Sequence, residues 1–187
     1  MKVQFKPLTA DTWSDAKALF GTNGVCGGCW CMWWRKSHTA YERDKRSVNK
    51  RDLKLLAEGS VSPGLLFYSD NSPVGWCSLG PREHFDRLAS SRILAPVDEQ
   101  PVWSIVCLHV RADIRHQGVS TRMVAIARDY AIKNDAKIVE AYPIDPNKPD
   151  MAAVFAQTGF KSAFDKNDFV EVLRRSKGRP IMRYIVE

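Results

Sequence analysis

The sequence predicts a single α/β domain of the α+β kind over residues 1–187. Its core would be a twisted, mixed but mostly antiparallel sheet of about six to seven strands, flanked by about four helices. Three observations support this class. Trp103–Val110 is largely apolar on both alternating faces, which is typical of a buried central strand. Val119–Asn134 follows with an apolar stripe at helical spacing. The 187 residues, 44% of them hydrophobic, are enough for one compact core.

Strand and helix patterns alternate in the N-terminal half of the chain. Thr9 is a typical N-cap residue and Gly59 a typical helix terminator, so these two residues delimit helices. A loop rich in Gly and Trp, residues 21–35, separates the first helix from the second. In order, we expect a strand at Lys2–Pro7, helices at Thr9–Phe20 and Val48–Glu58, strands at Leu65–Ser69 and Val74–Leu79 joined as a hairpin, and a connection from Pro81 to Pro101 with one helical turn.

The C-terminal third contains a helix for which two registers compete. Asp150–Thr158 is the preferred register, because Pro149 precedes it and Gly159 closes it. The alternative uses Phe160, Ala163 and Phe164 as its apolar face, but it lacks a closing glycine and leaves a long loop before it. Around this helix, strands are expected at Lys137–Tyr142, Phe169–Arg174 and Ile181–Val186, with a turn at Ser176–Arg179.

The junction between the central strand and the following helix has the composition of an anion site. Arg115-His116-Gln117-Gly118-Val119-Ser120 leads from the strand through a glycine into the helix. Free backbone N–H groups and the positive end of the helix dipole meet at such a point, so anions bind there. The Walker pattern and the dinucleotide-binding pattern are both absent, since Gly118 is the only glycine in the turn.

This stretch resembles the Arg/Gln-x-x-Gly-x-Gly/Ala signature of the GNAT superfamily of acetyl-CoA-dependent acetyltransferases, with Ser120 at the last fixed position. The order of elements along the chain is similar to that of the family. Four segments resemble one bacterial branch of the family, for which no substrate is settled: Gly28–Arg35, Pro101–Ser104, Glu140–Pro146 and Arg174–Arg183.

The resemblance implies that the sheet splays between strands 4 and 5 and that acetyl-CoA lies in the opening as cosubstrate. Main-chain atoms of the central strand would bind the pantetheine arm, and the amides of the glycine turn would bind the diphosphate. The cofactor-binding residues implied in this way are Leu108, His109, Val110, Arg115, His116, Gln117, Gly118, Val119, Ser120 and Thr121. An amine would attack the thioester directly, helped by a base and an acid.

The residues that act as acid and base in many family members have no equivalent here. Phe155 occupies the position of a tyrosine acid, and Ser104 is near that of a glutamate base. We rank Tyr142 first as a catalytic residue for its position beside the cofactor, with Glu83 and His84 below it. A buried packing role for Tyr142 and a solvated turn at Glu83 and His84 are equally open.

The loop Cys26-Gly27-Gly28-Cys29-Trp30-Cys31 permits two interpretations. With His38, its three sulfurs could complete a zinc site, but Cys-x-Cys leaves little room for both thiolates on one ion. We therefore expect no metal and assign the loop to an acceptor pocket, although a loop folded over its own aromatic cluster is equally open. The expected pocket residues are Trp30, Trp33, Trp34, Arg35, Trp103, Ser104 and Glu140.

Charge and cysteine content restrict the partners. The net charge is +7, with basic clusters at 35–54 and 174–183, but no nucleic-acid motif accompanies them. No signal peptide or membrane span is apparent and five cysteines do not suggest a disulfide scaffold, so a cytoplasmic location is expected.

The predicted function is transfer of an acetyl group to a primary amine of a small molecule or protein. A catalytically silent acyl-CoA sensor and a basic nucleic-acid-binding protein are the alternatives, and the sequence leaves a homodimer open.

Overall fold

A computed structural model describes residues 3–146 and 157–186. Its strands form one seven-stranded sheet in the order β1-β2-β3-β4-β5-β7-β6. The strands are β1 (Gln4–Pro7), β2 (Gly64–Ser69), β3 (Ser72–Pro81), β4 (Trp103–Val110), β5 (Ile138–Ala141), β6 (Val170–Ser176) and β7 (Arg179–Ile185). The helices of the described residues are α1 (Trp13–Phe20), α2 (His38–Arg43), α3 (Ser47–Ala57), α4 (Asp86–Ala89), α5 (Val119–Lys133) and α6 (Lys161–Asp165). Short 3-10 turns occupy Arg82–His84 and Ala112–Ile114.

All pairs of neighbouring strands are antiparallel except β4 and β5, which are parallel. The hairpin between β2 and β3 turns at Asp70 and Asn71, which both have positive φ, as a tight two-residue turn requires. This arrangement confirms the predicted α/β class, the mixed sheet and the hairpin. The central strand, Trp103–Val110, has the predicted bounds.

The parallel pair β4 and β5 is short and opens like a V. Only Trp103–Ile105 pairs with Val139–Ala141, so β4 continues from Val106 to Val110 without β5 beside it. A β-bulge marks the same point, because Ile105 pairs with Leu79 of β3 while Cys107 pairs with Ser78, which leaves Val106 as the extra residue. The splay between strands 4 and 5 that the resemblance implied is therefore present.

The two faces of the sheet carry different hydrophobic clusters. One face packs against α5 and α6 through residues such as Leu65, Ile105 and Met123. The other packs against α1, α3 and the Trp-rich loop. A third cluster, which includes Val106 and Tyr142, lies where the 85–97 connection meets β7. Alternate residues of β2 and β3 contribute to opposite faces, so burial of both faces holds the sheet in register.

One expectation about helices needs correction, and another falls largely outside the described residues. The described residues contain six α-helices instead of about four, because α2, α4 and α6 are only four to six residues long and too short to show periodicity in the sequence. The preferred last helix, Asp150–Thr158, lies outside the described residues except for Gln157 and Thr158, which form a turn. The later register is present as α6, with Ala163 and Phe164 buried.

Within the described ranges, no helix combines the length and the apolar content that crossing a bilayer requires.

Candidate functional site

A cavity of about 320 Å³ opens where β4 and β5 part. The free edge of β4 forms its floor, and the glycine turn before α5 closes one end. The Cys- and Trp-rich loop covers it, and the segment after residue 156 forms the remaining wall. The lining residues are Cys107–Val110 from β4, Arg115, His116, Gly118, Val119 and Ser120 from the turn, Val25, Cys26, Cys29, Cys31, Trp33 and Trp34 from the loop, and Gln157, Gly159 and Phe160.

The glycine turn presents backbone N–H groups to this cavity. Gly118 is the N-cap of α5 in the left-handed conformation (φ 75°), and His116 also has a positive φ of 63°. No side chain caps the helix and no acidic residue lies in its first turn, so the N-terminal amides keep their affinity for an anion. A Cβ at Gly118 would meet no atom within 4 Å, which means that the turn leaves open space in front of these amides.

Two main-chain groups at the free edge of β4 already have partners. The Leu108 N–H donates to the Gln157 carbonyl oxygen at 2.7 Å, and the Val110 carbonyl accepts from Arg115 Nε at 3.0 Å. Leu108, His109 and Val110 all line the cavity. A pantetheine arm that accepted a hydrogen bond from the Leu108 N–H would have to displace the Gln157 carbonyl.

Four cysteines from two parts of the chain line the other end of the cavity: Cys26, Cys29, Cys31 and Cys107. Hydrogen bonds from the Cys31 thiol, and from backbone N–H groups of Cys31, Cys26 and Val25, lower the pKa of Cys29 to about 6 against the opposing effect of burial. Burial raises the pKa of Cys26, and burial together with the neighbouring sulfurs raises that of Cys31 well above its usual value. At neutral pH, Cys29 is thus a thiolate beside protonated thiols.

The described lining of the cavity contains no carboxylate; its ionisable side chains are the four cysteines, His109, His116 and Arg115. His109 is half-buried, and burial together with the charge of Arg115 lowers its pKa to about 4, so it is neutral at pH 7. Within the described lining, no carboxylate is therefore available to the amides of the glycine turn.

Tyr142, the predicted acid, lies outside this lining in a buried polar cluster. Its hydroxyl donates to Glu140 Oε1 at 2.7 Å, accepts from Arg82 Nη1 at 2.6 Å and lies 2.8 Å from Ser104 Oγ. Burial and the Glu140 carboxylate raise the pKa of Tyr142 well above its usual value. Glu140 also accepts from Arg183 Nε at 2.7 Å, so its carboxylate lies between two guanidinium groups. We name these five residues, Arg82, Ser104, Glu140, Tyr142 and Arg183, the arginine-glutamate cluster.

The other predicted catalytic residues are also absent from the described cavity wall. Glu83 and His84 are exposed in the 3-10 turn after β3, as the solvated-turn interpretation expected. The structure therefore does not bring Tyr142, Glu83 and His84 together around the cavity.

Only some of the residues that were predicted for the acceptor pocket line the described cavity. Trp33 and Trp34 line the cavity, and the Arg87 guanidinium stacks on the Trp33 ring at 3.8 Å. Trp30 is a core residue instead, because it packs on Trp13 and Phe20 with 1% of its surface exposed.

Arg35 and Trp103 are likewise not pocket residues. The Arg35 side chain donates to the Pro63 carbonyl at 3.0 Å and stacks on Phe85, so its guanidinium group makes its contacts inside the fold. Trp103 packs against Tyr130 of α5. Ser104 and Glu140 belong to the arginine-glutamate cluster.

The zinc hypothesis gains no support from the described residues, since no three metal-binding side chains among them are placed to hold one ion. His38, the proposed fourth ligand, packs edge-on against Trp33. The five cysteines are all free thiols.

Sequence reasoning missed several residues of the site. Cys107 was assigned to an ordinary buried strand position, and Gln157 and Phe160 to the last helix and the segment after it. Arg82 and Arg183 were not connected with Glu140, because they are 58 and 43 residues away from it in the chain. The one available signal was the density of cysteines around residue 29, which predicted a specialised loop but not its position over β4.

The fold is shared with acetyltransferases of known structure. The chain is similar to the PaiA N-acetyltransferase from Thermoplasma acidophilum in complex with coenzyme A, with a TM-score of 0.55, 13% identity and full coverage of both chains. It is also similar to AAC(6')-Ib in complex with ribostamycin and coenzyme A, with a TM-score of 0.57 and 15% identity over 99% of this chain and 94% of that one. A GNAT-family acetyltransferase from Streptococcus pneumoniae matches with a TM-score of 0.57 and 9% identity over the full length of both.

Among curated proteins, none matches the sequence. The model of the acetyltransferase (GNAT) family matches residues 29–160, which is more than half of the chain and includes the splayed β4 and the glycine turn. This chain is therefore a member of the GNAT family of acetyltransferases.

Proposed function

We propose that the cavity binds acetyl-CoA and that the protein transfers the acetyl group to a primary amine of a small molecule or a protein. The observation that carries this proposal is the uncapped start of α5 at Gly118, which opens onto the free edge of β4. A diphosphate would accept hydrogen bonds from the amides of residues 117–121 and gain from the helix dipole. Arg115 and His116 would add positive charge at the same end of the cavity.

The direction of the cofactor follows from the shape of the cavity. With the diphosphate at the glycine turn, the pantetheine arm would run along β4 from Val110 toward Cys107, about 10 Å at the usual rise of a strand. The thioester would then lie at the cysteine end, beneath Trp33 and Trp34. The two indole rings would provide apolar area for the acceptor, and the amine would attack the thioester carbonyl directly.

Proton transfer in this proposal cannot depend on a carboxylate of the described cavity lining. The attacking amine must be neutral, and its proton must pass to water, to a sulfur or to a group that the acceptor brings. Tyr142 remains a proposed acid only if the arginine-glutamate cluster opens on cofactor binding, because its hydroxyl already has partners there.

Two measurements test the proposed function. Acetyl-CoA should raise the melting temperature, because a ligand that binds only the folded state stabilises it. No shift at saturating acetyl-CoA would overturn the proposal. Release of free CoA thiol with a panel of amines then measures transfer. Binding without release on any amine would instead favour the acyl-CoA sensor. The cytoplasmic location stays a prediction from the sequence.

A further inference from the structure

The cysteine end of the cavity has a feature that acetyl transfer to an amine does not use. Cys29 is the sulfur on which several donors converge: the thiol of Cys31 and the backbone N–H groups of Cys31, Cys26 and Val25. Its side chain lines the same cavity as the glycine turn. A sulfur held in this way is stabilised as the anion, which is the nucleophilic form.

The backbone of this loop adopts conformations that are unfavourable for residues with side chains. Trp30 and Cys31 have positive φ values of 34° and 53°, which residues with side chains rarely adopt. Gly28 has a φ of 84°, and a Cβ there would lie 2.9 Å from Arg46 Cγ. Trp30 anchors the strained segment, since its ring is buried among Trp13 and Phe20. Strain of this kind persists where packing enforces it, and it concentrates at functional sites.

The position of Cys29 along the cavity is opposite to the phosphate end. Cys31 interacts with both Cys29 and Cys107, so the three sulfurs form one group at the far end of the free β4 edge. In the proposed function, the thioester of acetyl-CoA occupies this end. The acetyl carbonyl and a thiolate would thus share a cavity that has no carboxylate in its described lining.

We propose that Cys29 is a covalent acetylation site: when no acceptor amine is bound, its sulfur takes the acetyl group from acetyl-CoA and holds it as a thioester. This inference rests on the proposed function, because it requires acetyl-CoA in the cavity. In the step, Cys29 Sγ forms a bond to the acetyl carbonyl carbon, and the bond between that carbon and the CoA sulfur breaks. CoA leaves as a thiolate and takes a proton from solvent, so no oxidant or reductant is needed.

One thioester replaces another in this step, so the equilibrium follows the ratio of acetyl-CoA to CoA. Acetyl-Cys29 should therefore accumulate at a high ratio and disappear when CoA is added in excess. Since the pKa of Cys29 is about 6, the rate of labelling should rise as pH increases through 6 and become constant above 7. An ordinary thiol would continue to gain reactivity up to its pKa near 9.

The experiment is intact-protein mass spectrometry of the full chain incubated with acetyl-CoA, followed by peptide mapping. We expect the mass of one acetyl group on Cys29, its removal by excess CoA, and its release by neutral hydroxylamine, which cleaves thioesters. Cys29→Ala should reduce the labelling about tenfold or more. Cys77→Ala is the matched control, because Cys77 is a buried thiol of β3 outside the described cavity lining, and it should label like the wild type.

Peptide mapping of the wild type locates the label without any variant, so a folding defect of Cys29→Ala does not remove the test. A melting-temperature shift with acetyl-CoA, measured on the same sample, separates the two proposals. A normal shift without a label on Cys29, or a label that is equal in Cys29→Ala, overturns the acetylation site alone. No shift and no label overturn the proposed function and the acetylation site together.

Discussion

The arginine-glutamate cluster and the cysteine-lined cavity lie on either side of Val106 along β4, and they differ in how their charges are balanced. In the cluster, the buried Glu140 carboxylate has an arginine on each of its oxygens, and Tyr142 joins it by a hydrogen bond. In the described lining of the cavity, no carboxylate balances Arg115, and the one anionic side chain is a thiolate. The charges of the cluster are paired within the protein, since Arg183 also binds Asp98, whereas the described lining of the cavity has capacity left for a ligand.

This difference shows why a chemically suggestive set of residues is a poor guide to a site by itself. Glutamate, tyrosine and serine on neighbouring strands have the composition of an acid-base site, yet their hydrogen-bonding capacity is used within the protein. Buried polar groups are normally satisfied in this manner. The cavity is recognised instead by the amides at the start of α5, which no side chain of the described residues caps.

The largest expected effect comes from breaking the cluster. Glu140→Gln would leave the largely buried Arg82 without its charged partner and Arg183 with Asp98 alone, so we expect a loss of about 3–5 kcal/mol in the free energy of unfolding. Urea denaturation measures this loss. Glu171→Gln removes an exposed carboxylate from its pair with Arg174 and should cost less than about 1 kcal/mol. Equal effects of the two substitutions would contradict the structural role of the cluster.

We expect the stability of the protein to depend on pH through His109, which lines the cavity. The pKa of His109 is about 4 in the folded protein and 6.5 in the unfolded chain. Between these values the unfolded chain binds the proton that the folded protein excludes, so stability from His109 is lost as pH falls from 6.5 toward 4. The stability of wild type relative to His109→Gln should fall by about 1–2 kcal/mol between pH 7 and pH 5.

Gly118→Ala tests the glycine turn with a matched control. The left-handed backbone costs a side-chain residue about 1 kcal/mol, and a Cβ would extend into the space in front of the amides. Gly21 also has a positive φ and open space for a Cβ, but it lies at the end of α1, away from the cavity, and its ψ of −155° is in a region that is nearly confined to glycine. Gly21→Ala should therefore lose more stability than Gly118→Ala, while only Gly118→Ala weakens acetyl-CoA binding, by about tenfold, as measured by calorimetry. Equal affinity in both variants would argue against the diphosphate position.

The smallest effect on acetyl-CoA binding and turnover is expected for Tyr142→Phe. Loss of one hydroxyl from the cluster should lower the free energy of unfolding by about 1–2 kcal/mol, since its partners lose a hydrogen bond each. Acetyl-CoA affinity and turnover per folded molecule should change less than about twofold. Tyr130→Phe serves as a packing control on α5. If turnover falls steeply while stability is kept, Tyr142 is the acid that the sequence pattern suggested.

The sequence predicts the features that depend on neighbouring residues better than those that depend on residues far apart in the chain. The central strand, the glycine turn and α5 are specified by neighbouring residues, and the turn and helix were placed correctly. Trp30, Trp33 and Trp34 look equivalent in the sequence, but their orientations depend on the positive φ values of the loop, so Trp30 packs inward and the other two line the cavity. The pairing of Glu140 with Arg82 and Arg183 depends on strand order, which no local pattern encodes.

The bulge at Val106 determines which side chains of β4 face the loop and which face α5. Because the bulge adds one residue to β4, Ser104, Val106 and Cys107 all face away from α5, whereas regular alternation would turn Cys107 toward it. Deleting Val106 would restore the pleat without exchanging the sides of the strand beyond it, whereas a regular strand that kept Val106 would exchange them. Cys107 and His109 would then enter the α5 core, and Leu108 and Val110 would face the loop. The chemistry of this wall thus depends on the bulge, which keeps Cys107 and His109 on the side of the loop.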